Sequence, residues 1–377
     1  MEDKLERRRL LKYAAVAGAA GTTGCIGPLS DGGNETDGVP DIGGFIGSGP
    51  GNDRPAPEGT SVDEMPDLEG TLTVYSGRGE GLVGDLFEFF NSTYDDFEVE
   101  PVYGGSADLA NQINTEGSNS PADVFYTVNV GALGSLAEGG RTVGLPDEVL
   151  ELVRDEFRDP DGEWVGTSGR ARTIPYNTEE FSEGDIPDDI FAFPDTESLA
   201  GEMGWAPTYG SFQDFVTAMR LLNSEEETRE WLEGMVDSEI DEYPNEQVIA
   251  NAVADGEILA GFANHYYIQR TLSGSSDAPL GTAFTDGDAG SLFNVAGATI
   301  LDTASDEELA ANFVRHLLSA EAQEFFAVRT EEYPLIPGVD PLGDLPAIDD
   351  LNPPELDLTD LADVEPTLEL MRDVGIL

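Results

Sequence analysis

The chain has 377 residues, 39% of them hydrophobic, which is enough for two domains that each bury a core. Its charge is lopsided: 76 acidic residues stand against 18 basic ones, a formal net charge of -58, with the acids dispersed along the chain and no lysine after Lys12. The absence of a basic patch excludes a nucleic-acid-binding face, and a dispersed acidic surface reads as adaptation to near-saturating salt, where self-repulsion is screened. Cys25 is the single cysteine, so no intrachain disulfide can form. With two histidines and no G-x-S-x-G, P-loop, HExxH or CxxC pattern, the chain lacks the parts of the common catalytic centres, and it reads as not an enzyme.

The N-terminus reads as an address and not as fold. Arg7-Arg8-Arg9-Leu10-Leu11-Lys12 resembles a twin-arginine export signal, and the weakly apolar run Tyr13 to Ala20 is too short to span a bilayer. Thr22-Thr23-Gly24-Cys25 resembles a lipobox, which makes Cys25 the lipidation site. Residues 1–25 are therefore the signal, and the Gly-, Pro- and Asp-rich residues 26–67 a flexible tether.

The globular part opens with a strand at Leu72-Thr73-Val74-Tyr75, a turn at Ser76-Gly77-Arg78-Gly79 and a helix over Leu82 to Phe90; a strand, glycine turn and helix form a ready anion site. A strand at Glu98 to Tyr103, a helix at Ser106 to Ile113 and a strand at Ala122 to Thr127 continue the alternation, which predicts an α/β fold on a parallel sheet. In the strand Arg170 to Tyr176, Arg170 and Arg172 share one face. Gly204 to Arg220 reads as a loop carrying Tyr209, then a helix that exposes Asp214. Glu225 to Val236 is a helix with a solvated acidic face, and Glu246 to Ala254 an amphipathic helix.

The most informative stretch follows. Ile258 to Ala263 is a short apolar run after the turn Asp255-Gly256, as in a covered strand, and Asn264 is a natural N-cap. His265, Tyr266 and Tyr267 then fall in a first helical turn, where neighbouring side chains are only about 100° apart and two phenols can converge on one ion. Two phenolates at a helix N-terminus are hard anionic donors suited to a hard trivalent cation. Taken alone, the pair reads first as aromatics packed under a loop, since aromatics usually serve burial. Phe293 to Ile300 is a further strand, Asp306 to Phe326 is helical with His316 structural among apolar residues, and a last helix spans Val364 to Val374.

Seven stretches, in this order, resemble one family, the ferric-iron-binding extracytoplasmic proteins of ABC transporters: VYSGRGEGLV, SPADVFYT, WVGTSGRARTIPYN, GWAPTYGSFQDFVTAMR, ANHYYIQR, NVAGATIL and EYPLIPGV. The resemblance implies a two-domain periplasmic-binding-protein fold of type II with the ligand cleft at the hinge. Residues 68–174 and 292–345 would form the first domain, 175–291 the second, and 346–377 a C-terminal extension. It implies Fe(III) as ligand, held by Tyr266, Tyr267, Tyr176 and Tyr209 with Glu80 from the first domain. Relatives carry a metal-binding His or Tyr near the start of the first helix, where this chain has Gly79 and Glu80. Arg78, Arg172 and His265 would hold a synergistic carbonate or other small anion, or support the ligands. The implied partner is an ABC permease, and the implied location the outer face of the membrane, as a lipid-tethered monomer. The runner-up ligands are thiamine, a phosphonate or an oxyanion; a different class is an acidic surface-structural lipoprotein.

Overall fold

The computed structural model describes residues 54–377 except residue 129. The export signal, Cys25 and the first part of the tether lie outside the described residues. The part of the tether from Arg54 onward is not loose: Arg54 pairs with Glu324 at 2.8 Å, Glu321 accepts from Ser61 Oγ at 2.6 Å and from the Val62 amide at 3.0 Å, and Val62 and Met65 are buried. Composition suggested a linker here, but two apolar anchors, one ion pair and two hydrogen bonds are enough to dock an otherwise polar segment.

The first half of the described chain runs β1 (Gly70–Ser76), α1 (Glu80–Thr93), β2 (Phe97–Tyr103), α2 (Ser106–Glu116), β3 (Val124–Thr127), α3 (Val130–Glu138), β4 (Thr142–Val143), α4 (Asp147–Leu150) and β5 (Val165–Asn177). It continues with β6 (Met203–Trp205), α5 (Gly210–Leu222), α6 (Glu225–Asp237), β7 (Asp241–Glu242), α7 (Glu246–Ala254), β8 (Ala260–Gly261), β9 (Ala263–Asn264), α8 (His265–Gly274) and β10 (Leu280–Ala283). The last part holds β11 (Phe293–Leu301), α9 (Glu307–His316), α10 (Ala320–Phe325) and α11 (Glu365–Val374).

The main sheet path is β2-β1-β3-β11-β5-β8-β6-β7. β1 lies parallel to β2 and β3, while β11 runs antiparallel to β3 and to β5, so the sheet is mixed and not purely parallel. The antiparallel member arises because β5 leaves the first lobe and β11 returns to it. One large core gathers residues from Val62 to Ala171 and again from Phe293 to Leu345. A second gathers Ile174 to Leu292 with Leu361, Leu370, Met371 and Ile376 of the C-terminal segment. The thirteen residues of β5 pass from one to the other, with Val165 and Ala171 in the first core and Ile174 and Tyr176 in the second. Two antiparallel strands thus form the crossing between the lobes, and β5 carries Arg170 and Arg172 toward the site below.

Candidate functional site

The site is built where α8 begins. The strand expected at Ile258 to Ala263 is split: β8 pairs with β6 and β5, whereas β9 pairs with β5 alone, through Arg172 opposite Asn264 and Thr173 opposite Ala263. The division comes from Phe262, which turns fully buried into the second core against Phe193, Phe215 and Trp231. Asn264 occupies the N-cap position with extended backbone, but its side chain does not cap; its amide donates to the Tyr266 hydroxyl at 3.3 Å. That hydrogen bond fixes the first phenol of the pair.

Three phenols converge there. The Tyr266 and Tyr267 rings lie 4.3 Å apart between centroids, and the Tyr209 and Tyr267 rings 6.2 Å apart with their hydroxyls in direct contact. Tyr209 immediately precedes α5, and its carbonyl accepts from Phe212 and Gln213, so the helix start fixes its backbone. Burial pushes the Tyr266 and Tyr267 hydroxyls above the ordinary phenol range, and for Tyr267 the neighbouring phenols add to the effect. Without a cation, therefore, the phenols keep their protons. Among the described residues no group of three His, Cys, Asp or Glu side chains is arranged to hold a metal ion.

Arginines surround the cluster, each already engaged. Arg270 stacks over both rings, 4.9 Å from the Tyr266 centroid and 5.5 Å from that of Tyr267, and pairs with Glu331 at 3.1 Å; Ser273 donates to the same carboxylate. Arg270 lies four residues after Tyr266 and three after Tyr267, so the helical spacing that makes such neighbours could have revealed it. Arg78, fully buried, donates to Ser168 at 2.7 Å and to Glu332, while its guanidinium sits 5.4 Å from the Tyr126 ring and 5.3 Å from that of Phe326. Burial alone raises the Glu332 carboxyl, but Arg78 and Arg170 together with the Thr330 hydroxyl outweigh it and hold Glu332 below the usual carboxylate range. Arg172 is likewise committed, to the buried Glu246. Both arginines expected to meet an anion are thus neutralised by protein carboxylates, and removing either partner of such a buried pair costs about 3–5 kcal/mol.

Tyr176 is a correction. It lies four residues further along β5 than Arg172, the residue opposite Asn264, which is about 13 Å of strand. There its ring covers Gly281, where a Cβ would lie 2.4 Å from it, and it belongs to the second core. Glu80 is the first residue of α1, exposed beside Gly84 and Tyr103. Asp214, expected to face solvent on α5, is half-buried there, and burial pushes its carboxyl up to about 6 against the opposing pull of Arg170.

His265 is fully buried, its ring 4.7 Å from Tyr333 and 5.7 Å from Tyr266, and its Nδ1 accepts from the Ala171 amide at 3.1 Å. Burial lowers its pKa to about 4, so the folded protein holds it neutral. The unfolded chain protonates this ring first, so its contribution is fully present above pH 6.5 and is lost as pH falls toward about 4. The difference amounts to roughly 3 kcal/mol. Denaturation of wild type and His265→Gln at pH 7, 5.5 and 4 should show the variant losing less stability over that range; parallel curves would contradict the assignment.

The family described as bacterial extracellular solute-binding protein matches residues 85–351. The chain belongs to that family. Among relatives of this solute-binding protein, iron uptake protein A2 of Synechocystis is 30% identical over 321 residues, covering 81% of this chain and 90% of its own. The major ferric iron-binding protein of Neisseria meningitidis serogroup A is 29% identical over 310 residues, covering 81% and 93%. The crystal structure of iron-bound HitA from Pseudomonas aeruginosa superposes with a TM-score of 0.71 at 32% identity, covering 82% of this chain and all of that one. The solute-binding protein therefore has the two-domain periplasmic-binding-protein fold, and its relatives are transport proteins and not enzymes.

Proposed function

We propose that the chain is the extracytoplasmic solute-binding component of an ABC importer, carrying Fe(III) on the phenolate oxygens of Tyr209, Tyr266 and Tyr267 and handing it to a membrane permease. The observation that carries this reading is the convergence of three phenol groups, two of them with hydroxyls in contact, at the start of one helix. Three anionic oxygens match the hardness and charge of a ferric ion better than those of a softer divalent cation. Glu80, two residues beyond the buried Arg78, supplies a further oxygen from the first lobe, alone or with a small anion such as carbonate. The ion then favours the closed arrangement because only there do both lobes contribute donors, and the permease reads that state. The relatives named for iron support the same ligand.

A phosphonate or another oxyanion is a weaker reading, because such ligands require cationic donors and the Arg78 and Arg172 guanidiniums already face Glu332 and Glu246; thiamine, itself a cation, would leave the phenol cluster without a role. Loading with ferric citrate in high salt separates the two. Phenolate-bound Fe(III) should give a visible charge-transfer band, whereas a protein that stays colourless and retains no iron on desalting excludes the ferric reading. Twin-arginine export and lipid anchoring through Cys25 complete the proposal, leaving a tethered monomer on the outer membrane face. Persistent membrane recovery of Cys25→Ser would exclude that anchor.

A further inference from the structure

We propose that Glu246 is the positioning residue of the tyrosine cluster, its buried carboxylate clamping the two tyrosine-bearing segments in register. The inference rests on the ferric reading of those tyrosines. Glu246 is the first residue of α7, where an acid ordinarily sits in solvent against the helix dipole, yet here it is fully buried. The start of α7 does not depend on it, since Asn245 already caps the helix by accepting from the Val248 amide at 3.1 Å.

The carboxylate instead reaches three other elements. One oxygen accepts from Ser211, two residues after Tyr209, and from Arg172 on β5; the other accepts from the Asn264 amide at 2.8 Å, two residues before Tyr266. Arg172 extends the same grip, its guanidinium lying 5.5 Å from the Phe212 ring and 5.0 Å from that of Phe215, both on α5. One ion pair therefore holds the start of α5 by a hydroxyl and two rings, and the start of α8 by its cap amide. The contact between the Tyr209 and Tyr267 hydroxyls, which come from these two segments, depends on that register.

Stability is a poor reason for such a pair. The Arg172 Nε and Nη2 atoms are buried without a hydrogen-bond partner, and a buried pair whose donors are not all satisfied is commonly matched or bettered by apolar residues of similar volume. What apolar residues cannot supply is a single acceptor for Ser211 and the Asn264 amide at once.

The test compares wild type, the double variant Arg172→Met with Glu246→Leu, and Ser211→Ala, each loaded with ferric citrate in high salt. The double variant should melt near the wild-type temperature, because removing the incompletely satisfied guanidinium offsets the two donors left unpaired, yet bind Fe(III) about 10–100-fold more weakly, the range for groups that orient metal ligands. Its visible band should shift or weaken, which a merely structural role would not produce. Ser211→Ala should change the band and the rate of iron loss to a competing chelator in the same sense but less. A stable double variant with wild-type affinity and band overturns the inference. Should that variant fail to fold, an unchanged Ser211→Ala protein overturns it equally. A wild type that takes up no iron overturns the ferric reading, and the inference falls with it; a wild type that loads beside unaffected variants removes only the role of Glu246.

Discussion

Replacing Tyr266 and Tyr267 together by phenylalanine should abolish ferric binding while leaving the protein folded. The substitution keeps both rings, and with them the 4.3 Å ring contact and the Arg270 guanidinium stacked above. It removes two part-buried hydroxyls, leaving the Asn264 side-chain amide and the Tyr209 hydroxyl each short of one partner, at a cost of at most about 1–3 kcal/mol apiece, less where water replaces the partner. Against that modest change stands the loss of two of three anionic donors. Groups that merely orient a metal ligand are worth about 10–100-fold each, so two direct donors should exceed about 10⁴-fold together. Tyr209→Phe should fall between this variant and wild type. Competition against a chelator measures the affinity, and the visible band should vanish in the double variant. An affinity within tenfold of wild type would remove these tyrosines from the site. Because burial holds both phenols protonated in the absence of metal, loading must expel their protons, so uptake should also weaken as pH falls.

The tyrosine pair was legible because its signal is local: a short apolar run, an N-cap residue and the angular spacing of a first turn place Tyr266 and Tyr267 side by side. Tyr209 required the family resemblance, since nothing near it in sequence shows that its hydroxyl meets Tyr267. Tyr176 was misplaced by the same resemblance, because arrival at the hinge says nothing of register, and four residues along β5 carry it into the second core. Glu246 and Glu332 were hidden for a compositional reason. In a chain with 76 acidic residues, a carboxylate that is buried and paired looks like its many solvated neighbours until its partners are known. Arginine was the better indicator: with 18 basic residues in all, those at 78, 172 and 270 each bind a carboxylate beside the cluster. Strand alternation predicts the parallel pairing within a lobe but not the direction of the strand that returns to it, so the mixed character of the sheet was legible only through the family resemblance.

Thermal stability should collapse when salt is withdrawn. The formal charge of -58 is distributed, as in the first turn of α6, where Glu225, Glu226 and Glu227 are adjacent. Exposed ion pairs such as Arg229 with Glu225 and Arg372 with Glu365 contribute about 0–1 kcal/mol each and cannot offset the excess. Two like charges 10 Å apart in water repel by about 0.4 kcal/mol, and with dozens of unpaired carboxylates the sum rivals a net folding stability of about 5–15 kcal/mol. Screening decides how much of that sum is felt, since the Debye length is about 3 Å at 1 M salt and about 30 Å at 0.01 M. The buried pairs at the site are shielded from this change, so the loss should arise at the surface and affect both lobes. Unfolding followed in KCl from 0.01 to 3 M should show a steep rise in melting temperature that levels off near 1 M, where further salt can screen little more. A melting temperature that is flat across the series would refute the repulsion argument, and one that keeps rising steeply beyond 1 M would assign the salt requirement to ion and water binding by the carboxylates and not to screening.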